Sequence, residues 1–133
     1  HPKEIFQSAK SMRELYKDRK ITAIFQPHLF TRTRDFYRDF ADALSQLDEV
    51  ILTEIYPARE QPIPGVTSQL IYDNLKPGVE KAIIRKDDVI DYVKSRVPIL
   101  VRRLVSLIPA LIILGAGDLD NYTDEIAHII DNK

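Results

Sequence analysis

Four short apolar runs, separated by segments with helical periodicity, constrain this chain's fold more than any other feature. Ile21–Phe25, Glu49–Ile55, Ala82–Ile84 and Ala110–Leu114 are rich in aliphatic and β-branched residues, the composition of strands buried on both faces. The first is preceded by Ile5, Ala9, Met12 and Tyr16, which recur at helical spacing over about residues 3–17. It is followed by a second helical stripe, Phe36, Phe40, Leu44 and Leu47. Strands that alternate with helices need crossover connections and pair in parallel. The expected fold class is α/β: a Rossmann-like, doubly wound, mostly parallel sheet flanked by helices as a three-layer sandwich, with residues 1–133 as one domain.

Punctuation between these segments sets the expected boundaries. Lys17-Asp18-Arg19-Lys20 is a polar break, and Thr33 suits the N-cap of the second helix. Tyr56–Val66 is an irregular loop with three prolines and a glycine. Thr67 or Ser68 caps a short helix through Leu75, which Lys76-Pro77-Gly78 ends. Asp87 or Asp88 opens a further helix with Ile90, Val93 and Val97 on one face. Val97–Leu107 reads two ways, because Pro98 fits the first turn of a separate helix, which leaves Arg102 and Arg103 solvated. Gly115-Ala116-Gly117-Asp118 is the turn after the last run. A final helix from about Asn121 turns Tyr122, Ile126, Ile129 and Ile130 inward.

Composition excludes several chemistries. There is no cysteine, so no disulfide, thiolate metal site or cysteine nucleophile. Nineteen basic and 20 acidic residues give a net charge of -1, so no global attraction to nucleic acid is expected and any anion site must be local. The longest apolar run, Ile108–Ala116, is interrupted by Pro109 and is too short to span a bilayer; no membrane partner is expected. The polar start, His1-Pro2-Lys3-Glu4, does not resemble a signal peptide, and the missing initiator methionine reads as a domain excised from a longer chain. No Walker-type phosphate loop or Gly-x-Ser-x-Gly elbow occurs. The three histidines do not form a metal-ligand set, and His128 reads as structural. No catalytic or metal-binding residue is assigned.

In a doubly wound sheet, ligands sit at the carboxyl ends of the strands, and three clusters fall there. The turn Pro27–Arg34 places basic residues at a helix start, against the positive end of the helix dipole. Either a nearby carboxylate or a bound anion must offset them. His28 can donate a hydrogen bond and Arg32 can offer a bidentate fork to a carboxylate or phosphate, whereas Arg34 and Arg38 suit surface pairs with Asp35 or Asp39. In the second cluster, the proline-stiffened loop carries Tyr56, Arg59 and Glu60; Arg59 and Glu60 can reach a ligand or a neighbouring domain. The third, Gly115, Gly117 and Asp118, allows close backbone approach to a phosphate but lacks the third glycine of a dinucleotide fingerprint; Asp118 as a helix cap is the alternative.

These clusters resemble the C-terminal domain of the Mur ligases, and among them the alanine-adding member. Phe25-Gln26-Pro27-His28 with Thr31-Arg32-Thr33-Arg34-Asp35 looks like the family's signature turn. His1-Pro2-x-Glu4-Ile5 is similar to the end of its interdomain linker. Tyr56-Pro57-Ala58 with Glu60-x-Pro62-Ile63-Pro64-Gly65 resembles its long loop, and Gly115–Asp118 its last-strand turn. The resemblance implies one domain of a cytoplasmic, bacterial, ATP- and magnesium-dependent three-domain ligase of peptidoglycan synthesis; the alternatives are a domain of another Mur or folylpolyglutamate-type ligase, or a standalone Rossmann-like binding module. The partners of the implied ligase domain are L-alanine, ATP and UDP-N-acetylmuramate, together with the central and N-terminal domains. Such enzymes activate a carboxylate as an acyl phosphate, which an amine then attacks. The C-terminal domain closes the site and helps bind amino acid and nucleotide; alone it is expected to be inactive and to bind no cofactor. By this similarity His28, Arg32, Tyr56 and Arg59 lie on the substrate side, and Gly115, Gly117 and Asp118 on the phosphate side. Leu29 stands where many relatives carry Arg, which puts more weight on Arg32. Segment 97–109 is longer than usual for the family, and a surface helix is expected there.

Overall fold

A computed structural model describes residues 1–18, 20–102 and 110–115, with the backbone alone for 96–102 and 110–115. The elements run α1 (Pro2–Leu15), β1 (Ile21–Gln26), α2 (Phe30–Leu44), β2 (Glu49–Leu52), α3 (Gln69–Asn74), β3 (Glu80–Ile83), a 3-10 turn (Lys86–Asp88), α4 (Val89–Arg102) and β4 (Ala110–Gly115). The sheet is four-stranded, ordered β3-β2-β1-β4, and every pairing is parallel. This is the expected α/β doubly wound architecture.

Burial explains the winding. Alternate strand residues point to opposite faces. Ile21, Ala23 and Phe25 of β1, with Val50 and Leu52 of β2, pack with Phe40 and Leu44 of α2, Ala9 of α1 and Ile71 of α3. Ile24 and Ile51 face the other way and pack with Val89 and Val93 of α4. Crossovers of one hand that step outward from β1 in opposite directions must place their helices on opposite faces. The chain steps β1→β2→β3 with α2 and α3 on one face, then returns past β1 to β4 through α4 on the other. The order therefore reverses between β1 and β4, where a crevice opens at the carboxyl edge of such sheets.

The opposite edge is tied by Asp48. Its carboxylate accepts the Ile21 amide at 2.7 Å and pairs with Arg13 of α1 at 2.6 Å. Its backbone N–H donates to the Ile21 carbonyl, and its own carbonyl accepts the Glu80 N–H. One residue thus joins α1, β1, β2 and β3.

Several boundaries differ from expectation. Thr33 is no cap: it is buried inside α2, and its hydroxyl donates to the Leu29 carbonyl at 2.8 Å. β2 stops at Leu52, not Ile55. The Thr53 carbonyl is taken by the Ser68 hydroxyl, and Glu54 turns outward to accept the Lys86 amide at 2.6 Å. Ser68 is thereby withdrawn from capping α3; Thr67 Oγ1 accepts the Gln69 amide at 3.2 Å instead. α4 runs through Pro98 to Arg102 as one helix. A proline there has no N–H for the carbonyl four residues back, so one rung is missing and the helix continues past it. Residues 116–118, and the final helix expected from about Asn121 with His128, lie outside the described residues.

Ile24 lies in the interface between sheet and α4 at 1% exposure. Ile24→Ala is expected to destabilise the domain by about 2–5 kcal/mol, read as a lower midpoint in urea denaturation.

Candidate functional site

The site is built where β1 and β2 end. Beyond β1 the chain turns through Pro27, His28 and Leu29 into α2. Beyond β2 it rejoins this turn at Tyr56 through an isolated parallel bridge with His28. The Tyr56 N–H donates to the Pro27 carbonyl and the Leu29 N–H donates to the Tyr56 carbonyl, both at 2.8 Å. The rings of His28 and Tyr56 stack 5.5 Å apart at 23°. Leu29 is held at φ 73, ψ 138, a conformation that a residue with a Cβ rarely adopts. Its N–H is fixed by Tyr56, and its carbonyl accepts both the Thr33 N–H and the Thr33 hydroxyl.

The start of α2 holds the answer to its own electrostatic problem. Its first turn has no acidic residue, although Arg32 and Arg34 lie near the positive end of the helix dipole. Glu60, from the loop after β2, supplies the negative charge. Its Oε1 accepts the Phe30 N–H at 2.6 Å and the Thr31 N–H at 3.1 Å. Its Oε2 accepts the Thr31 hydroxyl. The Thr31 hydroxyl bond, the two backbone bonds and the nearby Arg34 charge hold the Glu60 carboxyl below the ordinary glutamate range. The offset is thus a carboxylate of the chain itself.

Of the expected site residues, His28, Arg32, Tyr56 and Arg59 are all carried by this joined turn and loop. Arg32 follows directly on Thr31, and Arg59 directly precedes Glu60. Arg32 is half-buried, yet it makes no hydrogen bond or ion pair among the described residues. Arg59 is exposed. Arg34 forms the surface pair expected of it, with Asp35 at 2.9 Å. That hydrogen bond raises Arg34 and lowers Asp35 from their ordinary values. Arg38 instead lies over the Tyr37 ring, 5.4 Å from its centre. Gly115 ends β4 in register with Gln26, on the far side of the β1–β4 reversal from β2. Gly117 and Asp118 lie outside the described residues.

The capping role of Glu60 and Thr31 is what sequence reasoning missed. Glu60 read as a ligand- or neighbour-facing residue, because the helix it caps begins thirty positions earlier. The absence of any acid in a first turn that carries Arg32, with Arg34 just beyond it, was the available signal. Among the described residues no group of three or more His, Asp or Glu is arranged to hold a metal ion, and no helix is long and apolar enough to cross a membrane.

These features define a Rossmann-like α/β domain with a half-buried cation at the carboxyl edge of its sheet. A family profile described as "Mur ligase, glutamate ligase domain" matches residues 1–118, and the chain belongs to this family, the C-terminal domains of the Mur ligases. The chain is 58% identical over its whole length to the UDP-N-acetylmuramate–L-alanine ligase of Phocaeicola vulgatus, of which it covers 27%. It is 44% identical over 98% of its length to the enzyme of that name from Parabacteroides distasonis, covering 26% of it. The crystal structure of UDP-N-acetylmuramate–alanine ligase from Thermotoga maritima matches 99% of this chain and 25% of its own, with a TM-score of 0.67 at 25% identity. The chain spans about a quarter of the length of these relatives.

Two outcomes are expected here. In an NMR titration the Glu60 carboxyl should protonate below the ordinary glutamate range, and the Phe30 and Thr31 amides should shift with the same midpoint. Because the folded value is the depressed one, the stabilisation is present above the unfolded value and is lost as pH falls through the folded value. Ala58, held at φ 52 in the turn closed by the Glu60 N–H and the Pro57 carbonyl, should tolerate glycine better than alanine. Ala58→Gly is expected to stabilise the domain by roughly 0.5–1 kcal/mol in urea denaturation, since relief of left-handed strain exceeds glycine's added chain entropy.

Proposed function

We propose that residues 1–133 form a single domain that closes the active site of an ATP-dependent ligase joining L-alanine to UDP-N-acetylmuramate in peptidoglycan synthesis. The observation that carries this reading is Arg32: a half-buried guanidinium without a partner among the described residues, in the first turn of α2 and four residues after His28, at the carboxyl edge of the sheet. A cation so placed suits an external oxyanion, and its planar fork fits a carboxylate or phosphate in two-point contact. The shared name of the relatives supports alanine as the amino acid.

In this reading ATP and Mg2+ serve the complete enzyme. The nucleotide's triphosphate and the metal are held chiefly by the central domain of the complete enzyme, as the resemblance to the Mur ligases implies. A phosphoryl group passes from ATP to the lactyl carboxylate of the UDP-sugar, releasing ADP; the alanine amine then attacks the acyl carbon, and phosphate leaves as the amide forms. This domain contributes position and charge: His28 and Arg32 hold the alanine carboxylate or the phosphates, with Tyr56 backing the His28 ring and Arg59 at the rim. In the same reading Gly115, which ends β4, and Gly117 and Asp118 after it in the chain serve the phosphate side. The enzyme works in the bacterial cytoplasm, where its nucleotide substrates are.

Arg32→Ala in the complete ligase tests this. It is expected to lower kcat/KM for alanine by on the order of 2–4 kcal/mol in transition-state terms. Steady-state kinetics indistinguishable from the unsubstituted enzyme overturn the assignment.

A further inference from the structure

The seat at the α2 N-terminus, where a ligand's oxyanion would ordinarily settle in such a fold, is filled by Glu60. Recognition of an external oxyanion therefore falls to side chains, and their spacing depends on how the loop after β2 is held. Every hydrogen bond given among the described residues from 57–65 to another element ends on Glu60: Phe30 N–H, Thr31 N–H and Thr31 hydroxyl. The remaining bonds of the loop are local, Glu60 to Pro57 and Val66 to Ile63. Glu60 thus joins two limbs at the points where they carry arginine, Arg59 beside it in the chain and Arg32 beside Thr31.

We propose that Glu60 is a positioning residue of the oxyanion site, holding the loop against the α2 start so that the limbs bearing Arg32 and Arg59 keep a fixed spacing. Glu60 touches no substrate; it acts through the arginines. The proposal rests on the reading of Arg32 given above. A carboxylate suits this task because it accepts from three donors at once and also offsets the dipole that would otherwise oppose Arg32. Glutamine offers one good acceptor oxygen and turns an NH2 towards a donor.

The test is a double-mutant cycle in the complete ligase, with Glu60→Gln, Arg32→Ala and the pair, varying alanine and ATP separately. Glu60→Gln is expected to raise one of the two KM values about 10-fold or more, with no added loss in the pair beyond Arg32→Ala alone. A change in KM for alanine assigns the oxyanion as the amino acid's carboxylate; a change in KM for ATP assigns it as phosphate. Thr31→Val, which removes one donor and leaves both backbone N–H groups, should act in the same direction with a smaller effect, and it replaces Glu60→Gln in the cycle should that variant not fold. Unchanged KM values, or losses that multiply in the pair, overturn the proposal while leaving the role of Arg32 standing. If Arg32→Ala itself has no effect, the oxyanion reading fails first and the positioning role fails with it.

Discussion

Strand β1 has no face left for water. Ile21, Ala23 and Phe25 are closed over by α1, α2 and α3, and Ile24 by α4. A strand packed on both sides cannot shift by one residue without exchanging every contact it makes. Its end is therefore a fixed point, and the turn Pro27–Leu29 leaves from that point. The placement of His28, the start of α2 and the crevice towards β4 all follow from the anchoring of this one strand.

From there the electrostatics are local. A helix that carries Arg32 and no acid in its first turn, and Arg34 just after it, is at odds with its own dipole. The chain resolves this with a carboxylate from the next crossover, which couples the geometry of one strand end to that of its neighbour. Leu29 belongs to the same arrangement. Its unusual backbone angles persist because its N–H and carbonyl are both engaged, one by Tyr56 and the other by Thr33.

Periodicity made the fold class, the four strands and the principal helices legible, because burial on one or both faces imprints directly on residue order. Ile5, Ala9, Met12 and Tyr16 do face the core, as do Phe36, Phe40, Leu44 and Leu47. Where reading failed, a distant group had taken over a local task. Thr33 looked like a cap, but Glu60 already held the helix start. Thr67 and Ser68 both suited the cap of α3; Thr67 serves, because the Ser68 hydroxyl is engaged by the Thr53 carbonyl. β2 was expected to reach Ile55, but Glu54 turned away to serve another turn. Of the candidate site, His28, Arg32, Tyr56 and Arg59 could be named from the chain, and the release of Arg34 to Asp35 was foreseen. Glu60 was visible as a residue while its role was not, since no rule of spacing links a loop acid to a helix begun thirty positions before.

At the other edge of the sheet, the Asp48 junction has a mechanical meaning. Through Arg13 it bonds α1 to a carboxylate that also holds the first residue of β1, while its backbone engages β1 and β3. Helix and strand starts thus share one carboxylate, so that its removal withdraws a partner from α1 and from β1 together.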